Sequence, residues 1–193
     1  MAELYVSEFV SLDGVMEAPG GEDFKYPGWS FDFERGEEGD QFKLEETLST
    51  DHSLLGRRTY EAFAAAWPER EGDEEEGEFA KKLNEMPKYV VSSTITEPSW
   101  VNTTVISGDV PAEIAKLKEQ LDGRIGVAGS HQLVQTLFEH DLVDEVRLMV
   151  FPVILGTGKR RFGETPDKLS FSLKELRPVG PAGVSVAVYE RAR

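Results

Sequence analysis

Two stretches constrain this fold more than any others. They are "LLGRRTYEAF" at 54–63 and "RIGVAGSHQLVQTLFEH" at 124–140; in each, a short apolar strand reaches a glycine and then turns into a helix. A strand that hands the chain to a helix is not closed by a tight hairpin. Its next neighbour in the sheet follows a crossover and runs parallel to it. Such units build α/β folds, in which helices cover both faces of a mostly parallel sheet.

The rest of the chain fits that plan. Residues 4–12 are rich enough in β-branched and aromatic side chains to be a strand. A glycine- and proline-rich loop follows over 13–36, and its five aromatics (Phe24, Tyr26, Trp29, Phe31 and Phe33) argue that it is ordered. A helix is expected at 37–49, with Phe42, Leu44 and Leu48 on its apolar side. After the strand at 52–56 and the helix at 57–66, the acidic "EREGDEEEGE" reads as solvated surface. Then come a short helix ending at Asn84, strands at 88–93 and 103–107, and a helix at 111–121 that opens on a proline. A long apolar strand lies within 143–155, and strands near 170–178 and 184–191 form a closing antiparallel hairpin. No repeat or linker interrupts this order, so one domain is expected over residues 1–193.

Charge narrows the partners. Against 21 lysines and arginines stand 36 aspartates and glutamates, a formal net charge of −15. Such a surface repels nucleic acid and anionic lipid, so any phosphorylated ligand needs a local cluster of positive charge. There are no cysteines, which removes disulfides, thiolate metal sites and cysteine nucleophiles together. The N-terminus lacks a basic patch followed by an apolar run, and a cytoplasmic protein is expected. The three histidines, His52, His131 and His140, have no metal-ligand spacing, so no metal is expected.

In open α/β sheets, ligands lie beyond the carboxyl ends of the strands, where helix N-termini offer free amides. Three strand ends here are suited to an anion. At the first, Gly56 permits close approach, Arg57 and Arg58 bring guanidinium forks, and Thr59 can cap the helix or bond a phosphate. The second carries the hydroxyls of Ser92, Ser93 and Thr94, and the third is Gly129 and Ser130 at the start of a helix. Together they point to a phosphate-rich cofactor. "GVAGS" is not the spaced three-glycine dinucleotide motif. In the aromatic loop, Trp29 and Phe33 are candidates to stack on a flat heterocycle, and Lys159, Arg160 and Arg161 are candidates to reach a substrate phosphate.

The order of "SLDG", "LLGRRTYE", "YVVSS", "IGVAGSHQLVQTL" and "LVDEVRLMVFPVILGTGKRRF" resembles the dihydrofolate-reductase-like family over nearly the whole chain. Within it, the branch named for the C-terminal reductase domain of the bifunctional riboflavin-biosynthesis deaminase-reductase is the nearest match, without the deaminase half. The resemblance implies a mixed, mainly parallel sheet of about eight strands with an antiparallel C-terminal hairpin. It implies an NADPH-dependent reductase acting on a small pterin-like or pyrimidine-like heterocycle, such as 5-amino-6-(5-phosphoribosylamino)uracil or dihydrofolate, and a homodimer. A non-catalytic NADPH-binding module is the alternative.

Carried across by residue, Gly56, Arg57, Arg58 and Thr59 would hold the pyrophosphate and adenosine end of the cofactor. Ser92 and Ser93 would lie by the adenosine and its 2′-phosphate, and Gly129, Ser130, His131, Gln132 and Leu133 would form the second phosphate junction. The family usually has Gly-Gly where this chain has Gly129-Ser130. Asp40 corresponds to the carboxylate that engages the pterin in dihydrofolate reductases. Asp13 is the other acidic candidate, and Met149 falls on the substrate-side strand.

Overall fold

In the computed structural model, which describes residues 1–192 apart from 22, 75 and 164, β1 (Glu3–Ser11) runs into the long loop. That loop contains one 3₁₀ turn, Trp29–Asp32, and leads to α1 (Gly36–Leu48). Then follow β2 (His52–Gly56), α2 (Arg57–Ala66), α3 (Gly77–Glu85), β3 (Lys88–Val91), β4 (Thr103–Ile106) and α4 (Val110–Gln120). The chain continues through β5 (Arg124–Val127), α5 (His131–Glu139), β6 (Glu145–Phe151), β7 (Phe171–Val179) and β8 (Val184–Arg191).

The strands form one eight-stranded sheet in the order β4-β3-β2-β5-β1-β6-β8-β7. Pairing is parallel from β4 through to β6, and β8 then runs antiparallel to both β6 and β7. The expected mixed, mainly parallel sheet with an antiparallel C-terminal hairpin is therefore present. Since β1, β2, β3, β5 and β6 all point the same way, their carboxyl ends share one edge of the sheet, and the candidate residues converge there.

Helices cover both faces. On one, Leu4, Val6, Leu54, Ile125 and Val127 from the strands pack against Ile114 of α4 and Leu133, Val134 and Leu137 of α5. On the other, Leu55 and Val90 pack with Tyr60, Leu83 and Trp100, while Met149, Phe151, Val186 and Trp29 form an aromatic-rich cluster near α1. Leu54 and Leu55 face opposite sides, as strand alternation requires. Lys88 is fully buried and donates three hydrogen bonds of 2.8–2.9 Å to the carbonyls of Leu83, Asn84 and Met86, at the C-terminus of α3.

α1 departs from the sequence pattern. Of the residues expected on its apolar side, Phe42 packs on the Met149–Phe151 cluster but Leu48 is 40% exposed, whereas Gly39, Glu46 and Thr47 are buried. The helix meets the sheet through charge. Lys43 pairs with Glu46 and donates to Ser7 at 2.9 Å. Glu46 also faces Arg147 at 3.4 Å, and Arg147 bonds Glu145 at 2.6 Å. Arg124 completes the network to Glu145 at 2.8 Å. Among the described residues no helix is long and apolar enough to cross a membrane.

Candidate functional site

β2 and β5 are adjacent and parallel, so their terminal glycines bring α2 and α5 together. Gly56 donates to the carbonyl of Gly129 at 3.0 Å. A Cβ at Gly56 would stand 2.7 Å from the Ser130 hydroxyl and 2.8 Å from its backbone nitrogen, so only glycine fits there. Gly129 has φ +110°, which also demands glycine, and the bond between Gly129 and Ser130 is cis. The Ser130 hydroxyl accepts from the backbone N–H of Thr59 and from its hydroxyl, both at 3.2 Å. Ser130 thus caps α2 from across the site. No side chain caps α5, leaving the first-turn amides of His131, Gln132 and Leu133 for a ligand.

The two arginines differ. Arg57 places one guanidinium nitrogen 3.1 and 3.2 Å from the carboxylate oxygens of Glu61 on its own helix. Arg58 is exposed and pairs with no carboxylate among the described residues. At the end of β3, the Ser92 hydroxyl accepts from the amides of Thr94 and Ile95 at 3.1 and 3.0 Å, so it closes a turn. Ser92 is buried and Ser93 beside it is exposed. The Leu133 side chain belongs to the core, so its part in the junction would be its backbone amide.

Across the end of β1, the segment 159–161 runs antiparallel to 14–16: Met16 donates to Lys159, Arg161 donates to Gly14, and Val15 bridges to Arg160. The carbonyl of Arg160 lies 3.0 Å from the His131 ring, tying this segment to the start of α5. Asp13 anchors its base. The carboxylate accepts from the Ser11 hydroxyl at 2.7 Å and from the amides of Leu155 and Gly156 at 3.1 and 3.0 Å. Those bonds, the one from Ser11 foremost, hold its pKa down to about 2, so it carries no proton at neutral pH. Its visible part is to fix the loop.

The three basic residues expected to reach a substrate phosphate are each faced by a carboxylate. Lys159 meets Glu17 at 2.7 Å, Arg160 meets Asp13 at 3.5 Å, and Arg161 meets Glu8 at 3.8 Å. Arg161 is the largest fully buried side chain, 1% exposed, and lies against the rings of Phe138 and Phe162. Burial lowers its pKa to about 10 and raises that of Glu8 to about 7.

Beyond β6, a cavity of about 330 Å³ opens between the 3₁₀ turn and the first turns of α1. Phe33 and Phe151 give it aromatic walls, and Glu34, Arg35, Glu37 and Asp40 line it. Asp40 accepts from Arg35 at 2.5 Å and is 62% exposed. Trp29 and Met149 do not reach it. Trp29 is 3% exposed, donates to the carbonyl of Glu17 and packs edge-on to Phe151 at 5.4 Å; Met149 is 2% exposed. Both are core residues, which corrects the expectation that they face a ligand. Sequence reading missed the Arg35–Asp40 pair and Phe151; the "FERGEEGD" stretch gives no signal that its charges ring a hollow.

The RibD C-terminal domain model matches residues 2–184. The protein YyaP of Bacillus subtilis (strain 168) is 31% identical over 140 residues, covering 72% of this chain and 73% of YyaP. A protein assigned to riboflavin biosynthesis in Shewanella sp. PV-4 superposes with a TM-score of 0.74 at 24% identity, over 100% of both chains. Dihydrofolate reductase from Enterococcus faecalis, solved with NADP(H) and RAB-propyl, superposes with a TM-score of 0.59 at 14% identity over 99% of this chain and 97% of its own. These likenesses establish the dihydrofolate-reductase-like fold.

Proposed function

Because the chain belongs to the RibD C-terminal domain family, we propose that it is a reductase that binds NADPH across the ends of β2 and β5. Its substrate is a flat nitrogen heterocycle, pterin-like or pyrimidine-like, received at the ends of β1 and β6. The observation that carries this reading is the convergence of two helix N-termini on Gly56 and Gly129, with the Arg58 guanidinium on α2 paired with no carboxylate among the described residues. On a molecule of net charge −15, an unneutralised arginine at two helix starts is a site for a phosphorylated ligand. The bound NADP(H) of the E. faecalis enzyme, which shares the fold, supports the choice of cofactor.

The residues present fit that group. Arg58 and the amides of His131, Gln132 and Leu133 would hold its phosphates, with Ser93 and Gln132 exposed alongside. Ser130 spends its hydroxyl on α2, so α5 is left as the more open of the two helix starts. When bound, NADPH supplies the hydride. The chain's own part is to align the acceptor and exclude water. From β2 to β6 the sheet steps across three strand spacings, about 14 Å, a span that an extended dinucleotide covers in part. Phe33 would stack on the heterocycle, backed by the buried Phe151 at 6.1 Å between ring centroids, and Asp40 would accept a hydrogen bond from a ring N–H. Asp13, ionised and bonded to 155–156, would position the loop over the end of β1.

Titration with NADPH, followed by nicotinamide fluorescence, is expected to saturate; no binding at millimolar cofactor rejects the reading. NADPH oxidation with dihydrofolate and with the ribosylamino-pyrimidine phosphate, each tested alone, then separates substrates. NADPH binding with no NADPH oxidation in the presence of either, or of any related heterocycle, identifies a binding module instead.

A further inference from the structure

We infer that the cavity at the start of α1 takes a heterocycle bearing no phosphate, either uncharged or cationic. This rests on the reductase reading, in which that cavity is the substrate side. Its lining has three carboxylates, Glu34, Glu37 and Asp40, against the single guanidinium of Arg35. That guanidinium is already bonded to Asp40 at 2.5 Å. A phosphate seated there would have to break the pair or lie beside two further negative charges.

Among the described residues, the cations near the cavity are paired, buried or turned away from it. Lys159 and Arg160, at the end of β1, each face a carboxylate, and Arg161, whose guanidinium finds no hydrogen-bond partner among the described residues, is 1% exposed and closed to a ligand. Lys43, one turn along α1 from Asp40, is committed to Glu46 and Ser7. Lys25 sits over the Tyr26 ring and does not line the cavity. Arg58, at the other end of the strand row, has no carboxylate partner among the described residues. The molecule therefore separates its fields: positive where a dinucleotide would bind, negative where its acceptor would bind. The half-exposed Phe33 ring favours a flat ring, and Asp40, Glu34 and Glu37 favour amino and ring N–H donors or a protonated ring nitrogen.

The test uses the full chain without cofactor. An aminopyrimidine riboside and its 5′-monophosphate are titrated by calorimetry, with tryptophan emission, to which Trp29 beside Phe151 contributes, as a second readout. The riboside is expected to bind at least about tenfold more tightly at low ionic strength, the gap shrinking as salt is added. Replacing both exposed acids, Glu34→Lys with Glu37→Lys, is expected to abolish or reverse the preference. Equal or tighter binding of the monophosphate by the unaltered protein overturns the inference, as does binding of neither compound. NADPH is titrated separately into both proteins. Retained NADPH binding by the double variant shows that it is folded, and failure of the unaltered protein to bind NADPH rejects the reductase reading while the riboside comparison still decides the cavity.

Discussion

Two arginines next to each other in sequence, Arg57 and Arg58, have different surroundings, and that difference is measurable. Arg57 is held by Glu61, so its charge is already answered, while Arg58 is not. Arg58→Ala is expected to weaken NADPH binding by about 1.5–3 kcal/mol, the value of a charge-assisted hydrogen bond, and Arg57→Ala by about 0.5 kcal/mol or less, as for exposed pairs. Nicotinamide fluorescence titrations of both variants check the contrast. A second residue-scale expectation concerns Glu8. Burial lifts its pKa from the ordinary 4.5 to about 7, although Arg161 pulls the other way. The folded chain thus keeps a proton that the unfolded chain releases as pH rises from 4.5. Glu8's contribution to stability is full below that pH, falls by up to about 3 kcal/mol as pH climbs to 7, and is flat above. Urea unfolding of the unaltered protein and Glu8→Gln should show a difference that shifts in the variant's favour across this window and then stays constant.

Among the elements, α1 breaks the usual rule that a helix buries its apolar side. Glu46 joins the helix to the sheet by facing Lys43 and Arg147, and its side chain is 4% exposed. Glu46→Ala would leave the half-buried Lys43 with Ser7 alone and Arg147 with Glu145 alone, and is expected to cost about 1–3 kcal/mol. Leu48→Glu, on a 40% exposed position, should change stability by less than about 0.5 kcal/mol. Denaturant midpoints measure both, and the apolar pattern alone would have ranked them the other way. This marks where sequence was readable. The strands and α2, α4 and α5 were legible because glycine ends, a proline start and apolar periodicity are local signals. The face of α1 was not, because its partners Arg147 and Glu145 lie about a hundred positions away and a buried charge looks like a surface charge in sequence. The junctions were legible one at a time. Their meeting was not: Thr59 and Ser130 are 71 residues apart, and Ser130 bonds Thr59 only because β2 and β5, distant in sequence, pair in the sheet. Trp29 and Met149 were misread because a buried aromatic or methionine and a ligand-facing one carry the same letter.

For the molecule as a whole, the balance of −15 sets an opposition between long range and short range. A phosphorylated dinucleotide approaching from solution first meets the field of the entire body, which repels it, and only at contact meets Arg58 and the start of α5. The two respond differently to salt. At about 0.01 M ionic strength the Debye length is about 30 Å, comparable with the molecule, so the net repulsion is felt throughout the approach; at about 0.15 M it is about 8 Å, and distant carboxylates are screened while a direct arginine contact persists. Most polyanion sites sit in positive fields, and their association slows as salt is added. Here the opposite is expected. The association rate for NADPH, read by stopped-flow fluorescence, should rise several-fold between those ionic strengths, while the dissociation rate, governed by the local contacts, rises less steeply. Arg58→Ala should raise the dissociation rate and leave the salt dependence of association almost unchanged, because removing one charge barely alters the field of the body. Association that slows with added salt would mean that positive potential at the strand ends extends beyond the contact distance and outweighs the acidic surface around it.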